Sequence, residues 1–122
     1  MLGDRVLPSI EIIPRSGFYD YATNDQPGAA MEVCPSNIPT SWEKAVGDAA
    51  LTVFRTIGLS VYARADFIVT ANGTPYFLEI NTLPGMTPTS LVPQEAEAAG
   101  MDYGKLCETI IQLSLEARKE GL

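Results

Sequence analysis

Four polar side chains on two neighbouring predicted strands form the clearest candidate for chemistry in the sequence: Arg64, Asp66, Glu79 and Asn81. Asn72-Gly73 lies between the strands and favours a tight hairpin turn, because both central residues of such a turn need positive φ. Pairing counted outward from that turn puts Asp66 opposite Glu79 and Arg64 opposite Asn81. Since side chains alternate along a strand, all four then project from one face. A three-residue loop would shift this register and send one pair to the other face.

The opposition of Asp66 and Glu79 needs a positive charge to offset it. Directly opposed side chains have Cβ atoms about 4.5–5.5 Å apart, and like charges there are destabilising. Either the Arg64 guanidinium or a hard divalent cation can supply that charge, and Mg²⁺ prefers oxygen ligands of this kind. Asn81 adds a neutral oxygen beside Glu79. The plainer alternative is that Arg64 bridges Asp66 on a solvated sheet face while Glu79 and Asn81 point to water.

The loop over residues 82–90, which follows the second strand, contains further candidates. Gly85 lets a ligand approach the backbone closely, and unpaired amides there can bind an oxyanion. Ser90 followed by Leu91, at the start of a predicted helix, offers a hydroxyl and backbone N–H groups to a carboxylate. An ordinary turn at Gly85 and an ordinary N-cap at Ser90 are the alternatives.

The elements that must position these groups begin with three predicted strands, over residues 5–13, 60–70 and 75–81. The last two form the hairpin, and its second face is apolar: Val61, Ala63, Ala65, Phe67, Val69, Tyr76, Leu78 and Ile80. Residues 15–41 lack periodicity, and a stretch of that length is typical of a lid or binding loop.

Three helices are predicted, over residues 41–57, 90–99 and 103–118. Thr40 and Glu43 match a capping box for the first, and Gly58 is placed for a left-handed C-cap. Asp102 is the expected N-cap of the last helix, whose apolar stripe is expected to face the core: Tyr103, Leu106, Cys107, Ile110, Ile111, Ser114 and Leu115. Together these elements predict an α+β fold with an antiparallel sheet flanked by helices.

Composition limits the possible functions. The 122 residues contain no histidine, which excludes Ser-His-Asp and Cys-His catalysis within the chain and every His-based metal site. A net charge of −7 would repel a phosphate backbone, so no nucleic-acid partner is expected. Cys34 and Cys107 lack CxxC spacing and are interpreted as free thiols. No membrane-length apolar run or secretory signal is visible, which favours a cytoplasmic protein with no membrane partner.

Several motifs occur in a fixed order along the chain: Leu7-Pro8-Ser9-Ile10, Phe18-Tyr19-Asp20-Tyr21, Cys34-Pro35, Arg64-Ala65-Asp66, Glu79-Ile80-Asn81-Thr82-Leu83-Pro84-Gly85-Met86-Thr87 and Ser90-Leu91-Val92-Pro93. In this combination the sequence resembles the C-terminal part of bacterial D-alanine–D-alanine ligases, of the ATP-grasp superfamily. The resemblance covers nearly the whole chain. Residues 1–122 are therefore expected to be the C-terminal part of an ATP-grasp ligase domain, with a lid-like loop over 15–41 and the N-terminal domains absent.

The resemblance implies a function for the full-length protein. ATP-dependent ligation of two D-alanines through an acyl phosphate would give D-alanyl-D-alanine for peptidoglycan precursors. Asp66, Glu79 and Asn81 would bind two Mg²⁺ (or Mn²⁺) ions that hold the ATP phosphates. The substrates would be ATP and D-alanine, and the full-length ligase is expected to be a homodimer.

Four further residues acquire roles by the same resemblance. Arg64 and the backbone at Gly85 would stabilise the charge that develops at the acyl phosphate and the tetrahedral intermediate. Ser90 and the Leu91 amide would hold the carboxylate of the second D-alanine.

The sequence departs from the family at the lid. The family's Lys-Tyr pair corresponds here to Asn24 and Asp25, which removes a cation near the phosphates and adds an acid. The family's N-terminal parts supply the first D-alanine site, the adenine pocket and the phosphate-binding lysines, so the chain alone is expected to be inactive. Two alternatives stay open: a ligase for another D-amino or D-hydroxy acid, and a degenerate module that binds a metal or nucleotide without turnover.

Overall fold

The computed structural model describes residues 1–14 and 30–119. Within these ranges it contains four strands and three helices: β1 (Glu11–Pro14), β2 (Ala30–Val33), α1 (Thr40–Ile57), β3 (Arg64–Val69), β4 (Pro75–Asn81), α2 (Leu91–Ala98) and α3 (Tyr103–Lys119). The predicted α+β class is confirmed. In the described residues the strands form two separate antiparallel pairs, β1–β2 and β3–β4, rather than a single sheet.

The first strand is shorter than predicted, and its partner lies in the stretch that was expected to be irregular. β1 begins at Glu11, which pairs with Val33 of β2. Upstream of it, the backbone N–H of Ser9 donates to Glu43 Oε1 at 2.8 Å, and the Ser9 carbonyl accepts from Ser36 N–H at 3.0 Å. The backbone N–H and carbonyl of Ser9 are therefore already hydrogen-bonded, to α1 and to the loop after β2. For this reason the β1–β2 pairing cannot extend toward residue 5.

The hairpin joins its strands by a three-residue loop, not by the predicted two-residue turn. Thr70 N–H donates to the Thr74 carbonyl at 3.0 Å, and Gly73, at φ +85°, donates to the Thr70 carbonyl at 2.9 Å. A turn that ends on a left-handed glycine is the usual form of a three-residue hairpin loop. The strand β3 starts at Arg64 rather than at residue 60 because Val61 has φ +71°, which interrupts extended backbone.

The helix α1 confirms one predicted cap and contradicts the other. Gly58 is left-handed at φ +79° and donates to the carbonyls of Arg55 and Phe54, as predicted for the C-cap. The capping box is wrong, because the N-cap residue is Pro39 and no side chain caps the helix. The Glu43 carboxylate instead accepts from the backbone and hydroxyl of Ser9, the second contact at 2.5 Å.

The core consists of two clusters, and the N-terminal segment contributes residues to both. One contains Leu2, Leu7, Val92, Ala96 and Leu106, and the other contains Met1, Ala50, Phe54 and Ala63. The Asp102 cap of α3 is confirmed, since its carboxylate accepts from Lys105 N–H at 2.8 Å.

The buried face of α3 is turned from the predicted stripe. Leu106 is fully buried, and Ile110 and Leu113 pack against the first cluster, whereas Ile111 is 62% exposed and Leu115 50%. The helices of the described part of the chain include none long and apolar enough to cross a membrane.

Candidate functional site

The hairpin brings together the four polar residues that the sequence singled out. Asp66 is the register partner of Glu79, and Arg64 is the partner of Asn81, so the predicted opposition is confirmed. The guanidinium of Arg64 forms a bidentate ion pair with Asp66, in which Nε donates to Oδ1 at 3.0 Å and Nη2 donates to Oδ2 at 3.2 Å. Both side chains are largely sheltered from solvent. Such charge-assisted pairs are stronger and more directional than neutral hydrogen bonds.

The register at the site is correct because two irregularities cancel. The three-residue loop pairs Phe67 with Phe77, one step away from the predicted register. Between that pair and the Asp66–Glu79 pair, β4 contains one extra residue, Leu78, which forms a β-bulge. The bulge restores the predicted pairing toward the site end of the hairpin.

Because of this bulge and the three-residue loop, the apolar face of the hairpin contains different residues of β4 from those predicted. Ala63 is fully buried, and Phe67 and Ile80 pack against the second core cluster, as expected. Tyr76 and Leu78, which were predicted to join them, are 58% and 57% exposed. Phe77 instead meets Phe67 edge-on, with ring centroids 5.8 Å apart.

The donor set at the hairpin suits a hard cation. Asp66 and Glu79 supply two carboxylates, and Asn81 supplies an amide oxygen that already accepts from Leu83 N–H at 2.9 Å. A carbonyl or carboxylate oxygen keeps a second lone pair after accepting one hydrogen bond. The described residues include no cluster of three or more His, Cys, Asp or Glu side chains, so this candidate rests on two carboxylates and an amide.

The loop over residues 82–90 brings Gly85 and Ser90 together. A Cβ at Gly85 would lie 3.0 Å from Ser90 Oγ, so a side chain at this position would crowd the hydroxyl, whereas glycine leaves it room. Ser90 is the N-cap residue of α2, yet its hydroxyl makes no cap bond. It accepts from Thr87 N–H at 3.1 Å and bonds Thr87 Oγ1 at 2.7 Å. Leu91, the first helical residue, follows directly.

Sequence reasoning missed Glu95, a partly buried carboxylate of α2 behind the hairpin. It lines a small open cavity together with Arg64, Ser9 and Glu43. Burial raises the pKa of Glu95 to about 7; the Met1 ammonium and Arg64 act against this rise, and Asp66 and Glu43 add to it. Its position could have been found, because Glu95 is three residues after the buried Val92 and therefore shares its helix face.

The remaining candidates are the two cysteines and the residues of the lid-like loop. Both cysteines are free, as interpreted from the sequence, and burial raises the pKa of the Cys34 thiol to about 11, which keeps it protonated and unreactive. Asn24 and Asp25, the residues that depart from the family at the lid, lie outside the described residues.

Comparisons with known proteins agree on one family. The family model described as D-ala D-ala ligase C-terminus matches residues 2–112. The D-alanine–D-alanine ligase of Nitratidesulfovibrio vulgaris strain DP4 is 48% identical over 118 residues, which are 96% of this chain and 39% of that protein. That of Methylacidiphilum infernorum is 46% identical over 114 residues, 93% of this chain and 38% of that protein.

Solved structures give the same result. The D-alanine–D-alanine ligase of Bacillus anthracis complexed with ATP superimposes with a TM-score of 0.84 at 38% identity, covering 100% of this chain and 40% of that one. The VanG D-Ala:D-Ser ligase of Enterococcus faecalis gives a TM-score of 0.70 at 31% identity, covering 85% and 30%. The chain thus spans about two fifths of the length of the curated relatives it matches.

Proposed function

The chain belongs to the D-alanine–D-alanine ligase C-terminal family, and from that premise we propose that it forms the metal-binding and second-substrate half of an ATP-dependent ligase that joins two D-alanines. The observation that carries the proposal is the extent of the family match. Residues 2–112 include every candidate residue of the hairpin and of the loop that follows it. Since the relatives are more than twice as long as this chain, we propose that the activity belongs to the full-length protein and that the chain alone is inactive.

The proposed metal ligands are Asp66, Glu79 and Asn81. Their oxygen atoms fit two Mg²⁺ or Mn²⁺ ions that carry ATP phosphates, because both cations prefer carboxylate, carbonyl and water oxygens. When bound, these ions neutralise negative charge on the phosphates. The ion pair to Arg64 holds Asp66 in place on β3, which fixes its carboxylate before any ligand arrives.

The proposed reaction has two steps. A carboxylate oxygen of the first D-alanine attacks the γ-phosphorus of ATP, an O–P bond forms, the bridging P–O bond breaks and ADP leaves. The amine of the second D-alanine then attacks the acyl phosphate carbon, a C–N bond forms, the acyl C–O bond to phosphate breaks, and inorganic phosphate and a proton are released. Arg64 and the Gly85 backbone N–H stabilise the negative charge that develops in these steps, through fixed charge and hydrogen bonding.

The proposed site for the second D-alanine is the start of α2. The Ser90 hydroxyl and the Leu91 N–H bind its carboxylate, because the first N–H groups of a helix have no partner within the helix and favour an anion. The proximity of Gly85 to Ser90 supports this proposal, since it puts the group that stabilises charge next to the group that anchors the attacking substrate.

A second candidate differs only in the second substrate. The likeness to a D-Ala:D-Ser ligase supports a ligase that joins D-alanine to another D-amino or D-hydroxy acid. The replacement of the family's lid Lys-Tyr pair by Asn24 and Asp25 also bears on substrate choice and on the degenerate, non-catalytic alternative. ATP as a substrate favours the cytoplasm, and family membership favours a homodimer, which light scattering of the full-length protein checks.

The test is an assay of the full-length protein that carries this chain. We expect ADP release that depends on D-alanine and yields D-alanyl-D-alanine. Product analysis with D-alanine plus D-serine or D-lactate identifies the second candidate if mixed products predominate. No ADP release with any D-amino or D-hydroxy acid, together with measurable nucleotide binding, would identify the degenerate module.

A further inference from the structure

The loop over residues 82–90 is anchored at both of its ends. At its start, Asn81 Oδ1 accepts from Leu83 N–H at 2.9 Å. At its end, Ser90 binds Thr87 through both hydroxyls and through Ser90 N–H to the Thr87 carbonyl at 2.9 Å, while the Gln94 side chain of α2 donates to the Thr89 carbonyl at 3.0 Å. None of these contacts involves the peptide groups on either side of Gly85, so the middle of the loop must be held by another element.

That support comes from α3. Tyr103, the first residue of α3, reaches back over 17 positions and donates its hydroxyl hydrogen bond to the carbonyl of Met86. Met86 follows Gly85 directly, and its side chain packs against the first core cluster. Asp102 caps α3 at this point, so the base of Tyr103 is fixed to a well-formed helix end.

We propose that Tyr103 is a positioning residue that holds residues 84–87 in the conformation that presents the Gly85 N–H and the Ser90 hydroxyl to substrate. This inference rests on the proposed function. Tyr103 touches neither the hairpin ligands nor Ser90 through any hydrogen bond between described residues, so its effect passes through the Met86 carbonyl. It links the second-substrate site to α3, an element that the family motifs do not include.

The role makes a selective prediction for Tyr103→Phe in the full-length protein. The ring stays and only the hydroxyl is lost, so the fold is kept. We expect kcat/KM for D-alanine to fall about 3- to 10-fold, the size expected for one neutral hydrogen bond. The KM for ATP should stay within twofold of wild type. The proposed metal ligands Asp66, Glu79 and Asn81 belong to the β3–β4 hairpin, and Tyr103 makes no hydrogen bond to them.

Two controls separate this role from packing. Tyr62→Phe removes a hydroxyl that has no hydrogen-bond partner among the described residues, and it should change neither constant. Cys107→Ala removes a thiol that competes with the Met86 carbonyl for the Tyr103 hydroxyl, so it should leave kcat/KM for D-alanine at the wild-type value or above it and the KM for ATP unchanged. A Tyr103→Phe enzyme with wild-type kcat/KM for D-alanine would overturn the inference. So would one that loses affinity for ATP and thermal stability together, since that pattern indicates a structural role.

A second measurement keeps the inference testable if the wild-type protein shows no activity. Backbone amide hydrogen exchange at Gly85, Met86 and Thr87 should be faster in Tyr103→Phe than in wild type, and unchanged in Tyr62→Phe. Inactivity of the wild type would then count against the proposed function alone, whereas equal exchange in this loop would count against the positioning role alone.

Discussion

Asp66 on β3 lies directly opposite Glu79 on β4, and the Arg64 guanidinium forms an ion pair with Asp66. Glu79 is exposed and makes no salt bridge to any described residue. The two acids are therefore unequal: removal of one relieves repulsion, while removal of the other leaves Arg64 without this ion pair. This asymmetry separates metal binding from fold stability.

The two acids give opposite changes in stability and the same change in metal affinity. In metal-free buffer, Glu79→Gln should raise the free energy of unfolding by about 0.2–1 kcal/mol, because like charges across a strand pair are destabilising. Asp66→Asn should lower it by about 1–3 kcal/mol through loss of the charged hydrogen bonds to Arg64. Both variants should weaken Mg²⁺ binding at least tenfold. Denaturant unfolding in the presence of a chelator measures the change in stability, and calorimetric titration with Mg²⁺ measures the change in affinity. Unchanged Mg²⁺ affinity in both variants would contradict the metal site.

The pairing at the site could be predicted from sequence, but the reason for it could not. Asn72-Gly73 gives the position of the turn but not its length, and period-two alternation gives the strands. The three-residue loop and the extra Leu78 each change the register by one, and only their combination keeps Asp66 opposite Glu79. Choice of turn depends here on tertiary packing, since the Gly73 backbone lies against the indole of Trp42 from α1. Local patterns contain no information on that contact.

The Gly73–Trp42 contact predicts a large effect of a small change. Gly73→Ala combines a left-handed φ of +85° with a Cβ that would overlap the Trp42 ring. Gly58→Ala has a similar φ of +79° but open space around the added methyl. We expect about 1–2 kcal/mol of destabilisation for Gly58→Ala from backbone strain alone, and at least about 1 kcal/mol more for Gly73→Ala. Thermal unfolding followed by Trp42 fluorescence measures both, and equal losses would show that the indole moves aside freely.

The connection between Ser9 and Glu43 predicts which residue at the start of α1 matters. A capping box would make Thr40→Ala costly, whereas the structure expects a change within about 0.5 kcal/mol, because Thr40 makes no cap bond. Glu43→Ala should cost about 2–3 kcal/mol, since it leaves the Ser9 backbone N–H and hydroxyl without their acceptor. Denaturant unfolding of the two variants side by side decides between the interpretations, and a costly Thr40→Ala would restore the capping box.

Other differences from the sequence prediction have the same physical origin. The stripe chosen on α3 was centred about one residue away from the buried face, because an amphipathic helix with apolar residues on more than a third of its circumference has no unique core side in sequence. The burial of Leu106 and the exposure of Ile111 are decided by where α2 packs. The helix face of Glu95 could be predicted from its spacing to Val92, but an acidic residue is ordinarily solvated, and only the structure shows Arg64 and Glu43 beside it.

Glu95 predicts a pH dependence of stability. Burial raises the pKa of Glu95 in the folded chain to about 7, from the ordinary value of 4.5. The folded state therefore holds this proton at pH values where the unfolded state has lost it, so the free energy of unfolding should fall as pH rises from about 4.5 to 7 and then level off. The free energy of unfolding should fall by about 3 kcal/mol in total, since each unit of pKa difference corresponds to about 1.36 kcal/mol.

Glu95→Gln, which cannot ionise, should remove this slope, while Glu97→Gln on the exposed side of α2 should keep it. The measurement is denaturant unfolding of both variants and wild type between pH 5 and 8, buffered so that only pH varies. The comparison of wild type with Glu95→Gln isolates the proton of Glu95 from the charges of the Met1 amine, Arg64 and Glu43, which line the same cavity, and from that of Asp66, which also acts on Glu95. Parallel pH profiles for wild type and Glu95→Gln would show that Glu95 ionises normally in the folded protein.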